Sequence, residues 1–117
     1  MFRNALLTLL LAGVVLAEPC FAHAKLLNSS PADQAQLTAV PKSLTLNFNE
    51  AAQLAVLKLV REGMEISLPI DKKAEASRSF TLPLPALVPG AYTVQWTAVA
   101  ADDGHVTKGT FSFSIVG

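Results

Sequence analysis

Cysteine is almost absent: the 117 residues hold one, Cys20. It falls within residues 1–22, a stretch that also carries Met1, Arg3 and Glu18. Beyond it no thiol remains, which excludes a disulfide scaffold, a Cys-type zinc site, an iron–sulfur cluster and a thiol nucleophile. Charge is scarce too, at 15% of residues, and balanced, with nine basic and nine acidic side chains. A neutral chain has no electrostatic reason to hold a polyphosphate backbone, so no nucleic-acid partner is expected. Neither a Gly-x-Ser-x-Gly elbow nor a Gly-rich phosphate loop occurs, which removes the usual signatures of hydrolysis and nucleotide binding. Histidine is limited to His23 and His105.

The one long apolar run, Ala5 to Ala17, follows Arg3 and ends before Glu18-Pro19-Cys20-Phe21-Ala22. A basic start, an apolar stretch of roughly 7–15 residues and small residues ahead of a cut describe a secretory signal. A membrane span needs about 20 apolar residues, so the processed protein is expected not to span a membrane. Small Cys20 and Ala22 at the minus-three and minus-one positions point to cleavage after Ala22, with Ala24 and Ala17 as alternative sites. Ala17-Glu18-Pro19 is a poor lead-in to a lipidated cysteine. Residues 1–22 therefore read as a signal peptide and residues 23–117 as one domain, long enough for one core and not for two.

After residue 22 no stretch keeps a helical period, and alternation replaces it. Leu44, Leu46 and Phe48 share one face, as do Tyr92, Val94, Trp96 and Ala98, and again Phe111, Phe113 and Ile115. Period-two patterns rich in β-branched and aromatic residues read as half-buried strands. Leu54 to Val60 is apolar on both faces, which predicts a separate strand covered on each side. Arg61-Glu62-Gly63-Met64 supplies a hairpin into a strand from Glu65 to Ile70. Pro83 and Pro85 push the strand marked by Phe80, Leu82 and Leu84 to an edge. Asp71 to Ser79, with charges of both signs, reads as a solvated loop. Seven short strands separated by turn signals predict an all-β, antiparallel Greek-key barrel or sandwich. Tyr92, Trp96, Phe111 and Phe113 are expected in its core.

Cleavage after Ala22 would make His23 the first residue. A terminal histidine offers its amine and its own imidazole to one metal ion, whereas the bland account is an exposed residue left by processing. His105 sits in Ala101-Asp102-Asp103-Gly104-His105, where Asp-Asp-Gly is turn chemistry. There the functional account is that Asp103 and His105, two apart, present an oxygen and a nitrogen to the same side. Together the two features could assemble amine, two imidazoles and a carboxylate. Three nitrogens and one oxygen suit tetragonal Cu(II), which also heads the divalent affinity order. Zinc would accept similar ligands but prefers a tetrahedron. Cu(I) prefers soft sulfur, of which the processed chain offers only Met64.

These residues resemble a known family, the CopC copper-resistance proteins. The likeness is carried by His23-Ala24-Lys25-Leu26-Leu27-Asn28-Ser29-Ser30-Pro31-Ala32-Asp33, by Pro41-Lys42-Ser43-Leu44-Thr45-Leu46-Asn47-Phe48-Asn49-Glu50, and by Gly90 to Trp96, Asp103-Gly104-His105 and Gly109 to Phe113. It implies a periplasmic, seven-stranded Greek-key barrel of immunoglobulin-like shape that serves copper tolerance or delivery. The family's Cu(II) ligands fall on the amine and ring of His23, on Asp103 and on His105. The doubled Asp102-Asp103 lengthens the interval from Trp96, so Asp102 is the alternative ligand if the turn is bulged. Glu50 is a candidate outer acceptor that orients a ligand histidine, or else a solvent-facing strand end. The methionine-rich segment of two-site members is missing, which implies one Cu(II) ion per chain and no Cu(I) site.

The implied partners are the copper ion and an inner-membrane copper transporter of the CopD type. A carboxylate in the fourth position leaves no open coordination site, which argues for storage or hand-over and against an enzyme. Two rivals stand beside this reading. One is a metal-free immunoglobulin-like interaction module with both histidines as bystanders; the other is a copper-brace oxidative enzyme.

Overall fold

Alternation dominates the chain locally, and it becomes strand throughout. The computed structural model describes residues 24–117, which form strands and turns without a helix. The strands are β1 (Leu26–Ser30), β2 (Ala35–Leu37), β3 (Ser43–Arg61), β4 (Met64–Ser67), β5 (Ser77–Pro83), β6 (Gly90–Ala100) and β7 (Val106–Ile115). They hydrogen-bond in the order β1-β3-β6-β7-β2, with β4 and β5 each pairing with β3. The all-β, seven-stranded, immunoglobulin-like expectation holds, as a single sheet curled over its own core.

The seven strands are not the seven the pattern suggests. Leu44–Phe48 and Leu54–Val60 are parts of one strand, β3, which is 19 residues long. Its first part pairs with β1 and β5, and its second part with β6 and β4. A strand shared in this way carries the sheet from one layer into the other. The remaining strand is β2, three residues with no pattern of their own. It runs parallel to β7, whereas the other pairings are antiparallel. Backbone capture at Ser112 steers it there: Gln34 N–H donates to the Ser112 carbonyl at 2.6 Å, and Ser112 N–H donates to Asp33 Oδ1 at 3.0 Å.

Leu54–Val60 is not covered on both faces. Leu54 pairs with Ala98 but Val56 pairs with Thr97, so β3 inserts one extra residue there. Such a bulge changes the phase of the alternation. Before it the inward residues are Leu44, Leu46, Phe48, Ala52 and Leu54; after it they are Leu57 and Leu59. Val56 is left 37% exposed. The apparent two-sided run is a one-sided strand with a one-residue slip.

The core is built from the inward faces of β3, β6 and β7, with Leu44, Leu46, Leu59 and Val94 fully enclosed. Phe48 meets Trp96 edge to face at 5.2 Å between centroids, and Tyr92 stacks on Phe113 at 5.5 Å. All four aromatic residues expected in the core lie there. The Tyr92 hydroxyl donates to the Val88 carbonyl at 2.6 Å and accepts the Val88 N–H at 3.1 Å. This tie back to the preceding corner is a signature of immunoglobulin-like sandwiches. Opposite Trp96 stands Gly109, where a Cβ would lie 2.5 Å from the indole ring. Only glycine leaves room for the ring.

Turn chemistry behaves as the sequence indicates. Glu62 and Gly63, with φ of 51° and 79°, form the two-residue connection between β3 and β4. Both positive values match the twist that tight hairpins require. β5 pairs only with β3, and Pro83 closes it as an edge strand. No helix among the described residues is long and apolar enough to cross a membrane.

Candidate metal centre

The connection from β6 to β7 is Ala101-Asp102-Asp103-Gly104-His105, and its shape follows from its residues. Gly104 takes a left-handed φ of 73°, and its N–H donates to the Ala100 carbonyl at 3.0 Å. The Ala100 N–H in turn donates to the His105 carbonyl at 2.9 Å, closing the loop. Ala101 N–H donates to the Ala51 carbonyl at 3.0 Å, which docks the turn onto the middle of β3.

Within this loop Asp103 engages His105 twice. Its Oδ1 accepts the His105 backbone N–H at 3.0 Å, and its Oδ2 lies 2.7 Å from the ring Nδ1. The side-chain hydrogen bond from His105, followed by the backbone one, holds the Asp103 carboxyl below its ordinary value of 3.8. An ionised carboxylate only accepts, so Nδ1 is the donor in this contact and Nε2 is the ring nitrogen left for other partners. Both side chains reach solvent, His105 at 58% and Asp103 at 35% exposure. Asp103, and not Asp102, is the aspartate joined to His105; Asp102 lies exposed on the turn. Glu50 is half-buried on β3, next to the Ala51 that receives the turn.

The start of the described chain runs beside the same loop. Ala24 is fully buried, and its carbonyl accepts the Thr107 hydroxyl at 2.8 Å, two residues past His105. Lys25 is gripped on both sides by Asn49: its N–H donates to Asn49 Oδ1 at 2.8 Å, and its carbonyl accepts the Asn49 N–H at 3.0 Å. His23 lies outside the described residues, as does Cys20. Among the described residues no three of His, Cys, Asp and Glu come together; Asp103 and His105 stand as a pair. Thr107 and Asn49 escape sequence reasoning, because neither lies in a metal-ligand spacing and their roles depend on partners far away in the chain.

A pattern described as the CopC domain matches residues 26–116. Protein YobA of Escherichia coli (strain K12) is 37% identical over 100 residues, covering 81% of this chain and 80% of that protein. Copper resistance protein C of Xanthomonas campestris pv. juglandis is 34% identical over 128 residues and covers 97% of both chains. Copper transport protein CutJ of Bacillus subtilis (strain 168) is 32% identical over 92% of this chain, which spans 20% of that longer protein. Among solved structures, CopC from Methylosinus trichosporium OB3b superposes with a TM-score of 0.68 at 24% identity, covering 80% of this chain and 94% of the other. The fold defines the class: a small, all-β, seven-stranded curled sheet. The chain belongs to the CopC copper-resistance family. That membership agrees with a metal-binding rather than a catalytic protein and with a periplasmic location.

Proposed function

We propose that the protein binds one Cu(II) ion as cargo in the periplasm, through the amine and ring of His23, the carboxylate of Asp103 and the ring of His105. Removal of residues 1–22 creates the amine, so export and site formation are one event. The observation that supports this reading most is the short Asp103–His105 pair lying two residues from the Thr107 that receives Ala24. His23 is bonded directly to that residue, and consecutive Cα atoms stand about 3.8 Å apart. Glu50 serves as an outer acceptor beside the loop.

An imidazole presents its two nitrogens on opposite edges, so an ion on Nε2 stands away from the oxygen that holds Nδ1. Ligation by Asp103 therefore exchanges its Nδ1 contact for copper, while the backbone N–H of His105 keeps Oδ1 at the loop. The carboxylate neutralises one of the two charges of the ion and fills a position that an oxidative enzyme would leave open. Holding and handing over copper follow, in tolerance or delivery. A relative named for copper transport, in which the matched unit is only about one fifth of the chain, supports a transporter of the CopD type in the inner membrane as partner.

The test is electron paramagnetic resonance on the chain beginning at His23 with one equivalent of Cu(II). Coupling to three nitrogens is expected. The same chain carrying an extra residue ahead of His23 should lose the amine nitrogen and bind weakly; identical spectra would remove His23 from the site.

A further inference from the structure

We propose that the Thr107 hydroxyl is a positioning residue for copper: by holding the Ala24 carbonyl it fixes where the terminal histidine meets the Asp103–His105 loop. The inference rests on the His23 reading above and assigns to Thr107 the task of bringing the two halves of that site together.

The two halves are remote in sequence. Thr107 and Ala24 are 83 residues apart, and their contact is a single hydrogen bond of 2.8 Å. Three features converge on Ala24 and the two peptide groups that follow it. The Ala24 methyl is fully buried, which fixes its Cα. Asn49 takes both the N–H and the carbonyl of Lys25, at 2.8 and 3.0 Å. The Ala24 carbonyl points the other way, to Thr107. With both faces of it engaged, the peptide plane between Ala24 and Lys25 has one orientation.

Of these grips Thr107 is the one tied to the metal loop. Asn49 belongs to β3, whereas Thr107 follows His105 by two residues on β7. Only Val106 separates Thr107 on β7 from His105 at the end of the loop, where the His105 carbonyl is held by the Ala100 N–H. The bond thus transmits the position of the histidine loop directly to the amino-terminal strand. Metal sites lose affinity when a chelating arm must be ordered on binding, and gain it when the arm is already in place. Residues that touch ligands' neighbours rather than the metal typically change affinity about 10–100-fold when replaced.

The chemistry of the contact sets the variants. The carbonyl can only accept, so the hydroxyl must donate. Thr107→Val keeps the shape of the side chain and removes the donor; Thr107→Ser keeps the donor. Copper affinity is measured by competition with a chelator of known strength, well below the melting temperature of each metal-free variant. Each variant is prepared both beginning at His23 and with one extra residue ahead of it. In the authentic series Thr107→Val should bind Cu(II) about tenfold more weakly than wild type, with Thr107→Ser close to wild type. In the extended series, where the amine is lost, Thr107→Val should change nothing further. Equal affinities of wild type and Thr107→Val in the authentic series overturn the proposal. So does the same loss in both series, which would mark a general weakening of β7. A wild-type chain indifferent to the extra residue overturns the His23 reading first and this assignment with it.

Discussion

Asp103 directs both carboxylate oxygens at His105, one to the backbone N–H and one to the ring. The fold therefore favours the ionised carboxyl, and its pKa lies below the ordinary value of 3.8. The sign follows from linkage: the contribution is present above that ordinary value and disappears as pH falls through the lower one in the folded protein. The group is exposed, so its effect on stability is small. In the proposed site it bears more on copper, because amine and imidazole ligands must shed protons to bind metal whereas the Asp103 carboxyl is held ionised. We expect Asp103→Asn to weaken Cu(II) binding while leaving the slope of log affinity against pH unchanged above pH ~5. Titrations at several pH values check this; a slope reduced by one proton would mean that the carboxyl titrates with the site.

At the scale of the element, β3 decides the architecture. Its bulge lets Leu54 and Leu57 both face inward although they are three apart. Deleting Ala55 removes the extra residue, restores strict alternation and keeps Leu57 opposite Trp96 and Leu59 opposite Val94. Deleting Lys58 instead moves Leu59 to the outer face, because a slip of one residue inverts every later side chain. The first deletion should fold, with a stability change within about 1–3 kcal/mol, and the second should not; urea denaturation followed by the fluorescence of Trp96 separates them. The strand was legible only in pieces. Leu44–Phe48 and the hairpin at Glu62-Gly63 are local patterns, and they read correctly. That the two apolar runs are one strand depends on β6 and β5, which the alternation of β3 does not encode. β2 has three residues and is a strand only because Ser112 and its neighbours accept it.

Taken whole, the molecule is a device for closing a long loop. Residue 24 and the loop before β7 meet because the chain crosses from β1 to β7 at Ser112 and is stitched again at Thr107. Copper bound across that closure, as proposed above, would add a cross-link that only the folded state possesses. A ligand at a hundred times its dissociation constant adds about 2.7 kcal/mol to folding. For a domain of this size that raises the melting temperature on the order of 10 °C. We expect this shift for the chain beginning at His23 and little or none with an extra residue ahead of it, as scanning calorimetry with and without Cu(II) would register.

The sequence alone determined what depends on near neighbours: strand faces with a period of two, the positive-φ hairpin, the Asp-Asp-Gly turn, and the Asp103–His105 pair whose contacts span two residues. It also carried the family resemblance. Tertiary structure decided the rest: the union of two apolar runs in β3, the parallel docking of β2, the close approach of Trp96 to Gly109, and the Thr107–Ala24 bond. The reason is physical. Local patterns are set by backbone sterics and side-chain period, while pairing across 83 residues is fixed only when the whole sheet satisfies its hydrogen bonds at once.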